Sequence, residues 1–164
     1  MPSILLFGAT GLMGGHLVVA LQKGYPDFPL TVYIRDTDSV IHSYLTNSVH
    51  VDRIVIGDFS ESEKISKVAA EHDIVINCGS SWDVPLAKSI NSGLRARFAE
   101  GKGKATLIHI SGTGNFADGR TDGKYAGPPV GHSKVWNVSL AQAGPLDGNS
   151  KLMTDISRTI VKMI

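Results

Sequence analysis

The glycines near the start of the chain constrain its fold more than any other feature. Gly8, Gly11 and Gly14 follow the apolar run at residues 4–7, and an apolar helical pattern begins at Leu17. A buried strand, a tight glycine turn and a helix N-terminus together form a unit that binds phosphate groups. In such a unit the first glycine permits the turn, the second lets a pyrophosphate approach the backbone, and the third lets the helix pack on the strand.

Composition narrows the class of protein further. The chain has 164 residues, which is enough for one domain. Its formal net charge is +1 and its basic residues are scattered, so we expect neither nucleic acid nor an anionic membrane as a partner. The single cysteine, Cys78, excludes intrachain disulfides and thiolate metal clusters and is consistent with a cytoplasmic protein. The histidines are dispersed, so no metal site is expected. No apolar run has the length of a signal sequence or a membrane span.

Short apolar segments alternate regularly with segments of helical pattern. The predicted strands are rich in Val, Ile and Leu and cover residues 4–8, 30–35, 52–57, 73–78 and 104–110. The predicted helices cover residues 11–23, 37–46, 60–72 and 83–100. This alternation predicts an α/β fold, a doubly wound Rossmann-type parallel sheet of order 3-2-1-4-5 with helices on both faces. A ligand crevice is expected at the carboxyl ends of the first and fourth strands.

Two predicted helices carry additional signals. Ser60 and Glu63 have the spacing of a capping box at the start of the third helix. The apolar residues of that helix share one face: Ile65, Val68 and Ala69. The fourth helix repeats an apolar residue every four positions, which predicts a single buried stripe: Leu86, Ile90, Leu94 and Phe98.

The alternation of strands and helices ends near residue 111. Residues 112–133 are rich in Gly, Pro and Asp and predict a long loop. We therefore expect a Rossmann domain over residues 1–142 and a linker with an amphipathic helix over residues 143–164. That helix either covers the exposed edge of the sheet or packs in a homodimer.

Several landmarks at the strand ends resemble the short-chain dehydrogenase/reductase superfamily, in its extended or atypical branch of NmrA-like and epimerase/dehydratase-like proteins. They are Gly8-Ala9-Thr10-Gly11-Leu12-Met13-Gly14, Tyr33-Ile34-Arg35-Asp36, Gly57-Asp58-Phe59, Asn77-Cys78-Gly79 and Ile110-Ser111-Gly112-Thr113. The resemblance covers about residues 3–115 and implies a bound NAD(P) cofactor. The residues it places at the cofactor are Gly8, Thr10, Gly11, Leu12, Met13, Gly14, Arg35, Asp58, Phe59, Cys78 and Gly79.

The resemblance assigns individual roles to some of these residues. It implies that Asp58 accepts a hydrogen bond from the adenine amino group and that Phe59 lines the adenine pocket. From the residues alone, Asp58 is a neighbour of the third helix's N-terminus, and the two roles are compatible. Cys78 is interpreted as a small apolar residue rather than a nucleophile, because no histidine lies near it in the motif.

Arg35 bears on the choice between NADP and NAD. A guanidinium at the end of the second strand matches a 2′-phosphate in charge and geometry, whereas a carboxylate there binds a free 2′-hydroxyl. The order Arg35-Asp36 favours NADP, while an Asp36 facing the ribose favours NAD. An exposed arginine bonded to nothing is the third alternative.

The family's catalytic residues are a Ser/Thr after the fifth strand and a Tyr-x-x-x-Lys helix, with tyrosine as general acid or base. Thr113 matches the first position best and Ser111 is its neighbour. Tyr125 is followed four residues later by Pro129, and Lys134 is nine residues from Tyr125. The dyad is therefore absent as a motif, although a loop could still bring Tyr125 and Lys134 together.

No substrate lobe is recognisable after about residue 145, so the chain resembles a C-terminally shortened family member. The expected function is NADP(H) or NAD(H) binding, with an ancestral hydride transfer to or from a small organic substrate that is impaired here. We expect such a chain to bind NADP(H) weakly or not at all and to have little turnover. The alternative is a non-catalytic NAD(P)-sensing regulatory module that binds a protein partner.

Overall fold

The computed structural model of the chain describes residues 1–35 and 39–110. Strands and helices alternate throughout this part, in the following order: β1 (Ile4–Phe7), α1 (Leu12–Gly24), β2 (Leu30–Ile34), α2 (Ser39–Ser43), a π-helical turn (Tyr44–Ser48), β3 (Arg53–Ile56), α3 (Ser62–Ala70), β4 (Ile74–Asn77), α4 (Val84–Ala99) and β5 (Thr106–His109). The predicted loop 112–133, the segment 143–164 and the candidate catalytic residues lie outside the described residues.

The five strands form one parallel sheet of order β3-β2-β1-β4-β5, which confirms the predicted topology. Every residue of β1 and β2 is buried, whereas β3 and β5 lie at the edges and each expose two residues. Central parallel strands are covered on both faces, which is why they consist of almost continuous apolar sequence. Phe7 is in register with Tyr33 on β2 and with Asn77 on β4, so the residues that follow these strands lie along one edge.

Alternate side chains of the strands build two cores. On the α1 face, Ile4 and Leu6 belong to a cluster with Val18 of α1 and Leu45 of the π-helical turn. The opposite face of the sheet, called here the α3–α4 face, carries a second buried cluster. It consists of Leu5, Phe7, Tyr33, Val55, Ile65, Val68, Ala69, Val75, Leu86, Ile90 and Leu94. The predicted apolar face of α3 is thereby confirmed.

The predicted stripe of α4 is wrong at its last position. Leu86, Ile90 and Leu94 are buried, but Phe98 is 59% exposed and Arg97 is buried in its place. A helix turns by 3.6 residues rather than four, so a strict four-residue repeat drifts off the buried face. Arg97 uses its inward position to form an ion pair with Asp73.

The predicted capping box is also wrong, because α3 begins two residues later than expected. Its N-cap is Glu61, which makes no side-chain cap. The Ser60 N–H donates instead to Asp58 Oδ1 over 2.9 Å, and the Ser60 carbonyl accepts from Ser62 N–H. The aspartate side chain thus stabilises a turn before the helix, a role in which aspartate competes well with helical hydrogen bonding.

Polar contacts of Asp73 and His72 stabilise the part of the sheet near the amino ends of its strands. The Ser3 N–H and hydroxyl both donate to Asp73 Oδ2, while Arg97 pairs with Asp73 Oδ1. His72, which is buried, lies 2.7 Å from the Val68 carbonyl through Nδ1 and 2.8 Å from the Thr31 hydroxyl through Nε2. A neutral imidazole therefore donates to Val68 and accepts from Thr31.

Helices α3 and α4 pack against each other at closest range around Gly93. A β-carbon added to Gly93 would lie 2.2 Å from the Ser66 carbonyl oxygen, so only glycine permits this approach.

Within residues 1–35 and 39–110, no helix is both long and apolar enough to cross a bilayer.

Candidate functional site

A glycine turn joins β1 to α1 in the geometry that the sequence predicts. Gly8 has φ +82°, a left-handed conformation that favours glycine, and its carbonyl accepts from Gly11 N–H at 2.9 Å. A β-carbon on Gly8 would lie 2.7 Å from the backbone of Cys78 and Gly79, so the turn packs directly on the end of β4. At Gly14 an added β-carbon would lie 2.0 Å from the Gly8 carbonyl oxygen, which identifies Gly14 as the packing glycine.

The start of α1 presents unoccupied backbone donors. Gly11 is the N-cap, offers no side-chain acceptor, and is followed by a first turn without acidic residues. The N–H groups of Leu12, Met13 and Gly14 have no acceptor within the helix. This arrangement attracts anions, because the donors add to the positive end of the helix dipole.

A cavity of about 610 Å³ opens at the carboxyl ends of β1, β2 and β4, beside this turn. Its volume lies in the ordinary range for small-molecule and cofactor sites. The residues that line it are Gly8, Thr10, Gly11, Tyr33, Ile34, Arg35, Asp58, Phe59, Ser60, Cys78, Gly79, Asp83 and Pro85. Most of the sequence-predicted cofactor residues therefore meet in one place.

Three predicted residues do not line the cavity. Leu12 and Met13 are 83% and 55% exposed, and Gly14 is buried beneath the turn. Their contribution to an anion site is confined to the backbone N–H groups at the start of α1. Ser111, Thr113, Tyr125 and Lys134 lie outside the described residues, as does Asp36.

Tyr33 holds in place the side of the cavity formed by the residues that follow β3, Asp58 to Ser60. Its hydroxyl lies 3.0 Å from the Asp58 carbonyl oxygen and 3.3 Å from Glu61 Oε2, and donates to these acceptors. Burial, and next the negative charge of Glu61, raise the pKa of Tyr33 to about 12. The hydroxyl therefore stays protonated and serves as a donor that fixes the backbone at Asp58.

Asp58, which is exposed, and Phe59, which is half-buried, form the rest of that side of the cavity. The backbone N–H of Ser60 lowers the pKa of Asp58 most, and the positive charge of Arg35 lowers it further, so Asp58 is an anion at neutral pH. Phe59 stacks on Tyr33 with ring centroids 6.4 Å apart. The Phe59 ring also contacts Gly79, where an added β-carbon would lie 2.5 Å from the ring.

The end of β4 closes the cavity from the other side. Asn77 is fully buried, and its Oδ1 accepts from the Gly79 N–H at 3.0 Å. Cys78 is half-buried, and burial raises the pKa of its thiol. A thiol whose pKa is raised is a poor nucleophile at neutral pH, which agrees with its interpretation as a small apolar residue.

Sequence reasoning missed five lining residues: Tyr33, Ile34, Ser60, Asp83 and Pro85. Asp83 caps α4 by accepting from Leu86 N–H at 2.8 Å, and Pro85 lies in the first turn. An aspartate followed by a proline is a helix-start signal, and in a doubly wound sheet the helix after β4 begins beside the crevice. That signal could have identified both residues.

Among the described residues, no group of three His, Cys, Asp or Glu could hold a metal ion.

Solved structures with this architecture include two from Veillonella parvula. A short-chain dehydrogenase/reductase of the wide type, in complex with NADP, has a TM-score of 0.55 and 20% identity, over 71% of this chain and 50% of that one. An ethylated short-chain dehydrogenase/reductase from the same organism has a TM-score of 0.53 and 20% identity, over 72% of this chain and 51% of that one. These likenesses show a shared fold.

Sequence comparison gives a curated relative and a family. The oxidase ucsJ of an Acremonium species is 31% identical over 114 residues, which are 69% of this chain but only 31% of the relative. This chain therefore matches less than a third of that relative's length. Residues 8–124 match the NAD(P)H-binding family, and they include the glycine turn and every residue that lines the cavity. With that match and the Rossmann-type sheet, the chain belongs to the NAD(P)H-binding family and has the fold of the short-chain dehydrogenases/reductases.

Proposed function

We propose that the cavity binds the adenosine and pyrophosphate part of NADP(H), and that the chain is the nucleotide-binding part of a short-chain dehydrogenase/reductase-type protein. The observation that carries this proposal is the convergence of the glycine turn, Arg35 and the Asp58–Phe59 wall on one cavity. In the proposed pose the pyrophosphate lies on the turn and the N-terminus of α1, and the adenine lies against Asp58 and Phe59.

Arg35 supports NADP over NAD as the preferred cofactor. It lines the cavity immediately after β2, where the adenosine ribose is expected. Its charge also acts on Asp58 across the cavity, so the guanidinium offsets the carboxylate that would otherwise repel a 2′-phosphate. The Veillonella parvula protein with this fold is itself in complex with NADP, which is a further support.

The cofactor proposal is tested by titrating the full chain with NADPH and NADH, using thermal shift and intrinsic fluorescence. Arg35→Glu is expected to weaken NADPH binding about 10-fold or more, since a hydrogen bond to a charged group contributes about 1.5–3 kcal/mol. NADH binding should change little. Arg95→Glu, an exposed arginine of α4 away from the cavity, is the matched control and should alter neither.

Two results would count against the proposal. If NADPH and NADH bind equally and Arg35→Glu affects both alike, the preference for NADP is wrong. If neither nucleotide stabilises the chain up to millimolar concentration, the cavity is not a dinucleotide site.

For activity, we propose hydride transfer with a small organic substrate, with Thr113 or Ser111 and the pair Tyr125 and Lys134 as the candidate catalytic groups, and with turnover impaired. Three titratable groups that line the cavity have pKa values shifted away from neutral pH. The pKa of Tyr33 is raised to about 12, that of Cys78 is raised, and that of Asp58 is lowered. NADPH oxidation across a panel of aldehydes and ketones measures the turnover.

The pKa shifts of Tyr33, Cys78 and Asp58 away from neutral pH also favour a second candidate, an NmrA-like NAD(P)-sensing module that binds a protein partner. NADPH-dependent capture of a partner, without NADPH oxidation, would favour this candidate. An epimerase-like activity and a homodimer are compatible with the first candidate. The proposed setting is the cytoplasm, which is consistent with a single cysteine whose thiol is not activated.

A further inference from the structure

We propose that His109 is a positioning residue for the cavity: it accepts a hydrogen bond from Asn77 and thereby fixes the turn over residues 78–80 that forms one cavity wall. His109 is the last residue of β5, and neither it nor Asn77 lines the cavity itself. The inference that His109 affects cofactor affinity rests on the proposed function, while its effect on the turn does not.

The orientation of the Asn77 side chain follows from its partners. Oδ1 lies 3.0 Å from the Gly79 nitrogen and 3.4 Å from the Ser80 nitrogen, and both of these groups are donors. The carboxamide oxygen must therefore face them, and Nδ2 points the other way. From there Nδ2 lies 3.2 Å from the Ser80 carbonyl oxygen and 3.1 Å from His109 Nδ1.

This orientation determines the tautomer of His109. Because Asn77 Nδ2 is a donor, His109 Nδ1 must accept, and the ring proton is carried by Nε2. His109 Nε2 is buried and has no hydrogen-bond partner among the described residues. The imidazole is thus held neutral, with its accepting nitrogen aimed at the buried Asn77.

The turn over residues 78–80, which Asn77 holds through hydrogen bonds, connects His109 to the cavity. Gly79 lines the cavity and supports the Phe59 ring, which an added β-carbon would approach to 2.5 Å. The backbone of Cys78 and Gly79 also contacts Gly8 of the glycine turn. A shift of residues 78–80 would therefore move both the Phe59 ring and the backbone on which the glycine turn packs.

Protonation of His109 would turn this contact into a repulsion between two donors. An Asn77 carboxamide that flipped to accept from Nδ1–H would present its NH₂ to the N–H groups of Gly79 and Ser80. Burial lowers the pKa of His109, and no charged group in the described part of the chain contributes to that shift. On the neighbouring elements, Cys78 points to the opposite face of β4, and Asp83 is engaged as the cap of α4.

The first test separates the hydrogen bond from the shape of the ring. His109→Phe keeps a planar ring and removes the acceptor, whereas His109→Asn can place an amide oxygen near the position of Nδ1. In the chain without nucleotide, hydrogen exchange at the Gly79 and Ser80 amides should become about 2- to 10-fold faster in His109→Phe. His109→Asn should restore the slower exchange, and His50→Asn, an exposed histidine before β3, should behave as the original chain.

The second test measures NADP⁺ dissociation constants from pH 7.5 to pH 5. At pH 7.5 His109→Phe should weaken binding about 2- to 10-fold. The 2′-phosphate itself takes up a proton near pH 6, but equally for every variant, so the ratio of Kd between the original chain and His109→Asn isolates the histidine. That ratio should rise toward the acid end of this range, because burial lowers the pKa of His109, which is neutral above its pKa and charged below it.

Unchanged exchange at Gly79 and Ser80 in His109→Phe would overturn the positioning role, whatever the nucleotide results. A Kd ratio that does not change with pH would overturn the coupling to the cavity. If the exchange rates respond as expected but no variant binds NADP⁺, the proposed function fails and the structural part of the inference stands.

Discussion

Gly14 lies where α1 packs against the turn that follows β1, and the space there admits a hydrogen atom only. Gly14→Ala places a methyl group 2.0 Å from the Gly8 carbonyl oxygen, so the helix or the turn must move. We expect the free energy of unfolding to fall by about 1–3 kcal/mol and nucleotide binding to be lost with the turn geometry. Urea unfolding and NADPH titration measure the two effects.

Gly24 at the end of the same helix is the control for that change. An added β-carbon there meets nothing within 4 Å, so Gly24→Ala should leave stability unchanged or raise it by up to about 1 kcal/mol. Equal destabilisation by both substitutions would show that the loss at Gly14 does not come from its close packing on the turn.

At the scale of the elements, Asp73 links β1, β4 and α4 through Ser3 and Arg97. Asp73→Ala leaves the buried Arg97 and two Ser3 donors without their acceptor, so we expect a loss of about 1.5–3 kcal/mol in the free energy of unfolding. Glu71→Ala breaks the exposed pair of Glu71 with Arg53 and should cost less than about 1 kcal/mol. Chemical denaturation of both variants distinguishes the buried from the exposed ion pair.

Local patterns in the sequence were sufficient for the strand order but not for the details of the helices. Continuous apolar segments and the glycine turn predicted the sheet, because both are encoded within a few residues. The start of α3 differs from the prediction because the Asp58 side chain accepts the Ser60 N–H, and Phe98 lies off the buried stripe because a strict four-residue repeat drifts around a helix of 3.6 residues per turn. The site's contact between Asn77 and His109 joins residues 32 apart, which no local pattern records.

At the scale of the whole molecule, His72 makes stability depend on pH. Burial lowers the pKa of His72, so the folded chain holds it neutral while the unfolded chain protonates it near pH 6.5. The contribution of His72 to the free energy of unfolding is therefore fully present above pH 6.5. It decreases as the pH falls below that value, by at most about 1.4 kcal/mol per pH unit for this one group. Urea unfolding at pH 7.5 and pH 5.5 should show the decrease.

Histidine variants identify the source of that decrease. His72→Gln should reduce the difference in stability between pH 7.5 and pH 5.5, although its stability at pH 7.5 will be lower because two buried hydrogen bonds change. His16→Gln, which alters an exposed histidine of α1, should keep the full difference. An undiminished pH dependence in His72→Gln would assign it to another group.

The close approach at Gly93 has a mechanical consequence for ligand entry. Phe59 and Ser60 precede α3, and Asp83 and Pro85 begin α4, so two walls of the cavity are attached to helices that contact each other through backbone. We therefore expect these two walls to keep their spacing when a ligand binds, because closely packed helices resist separation.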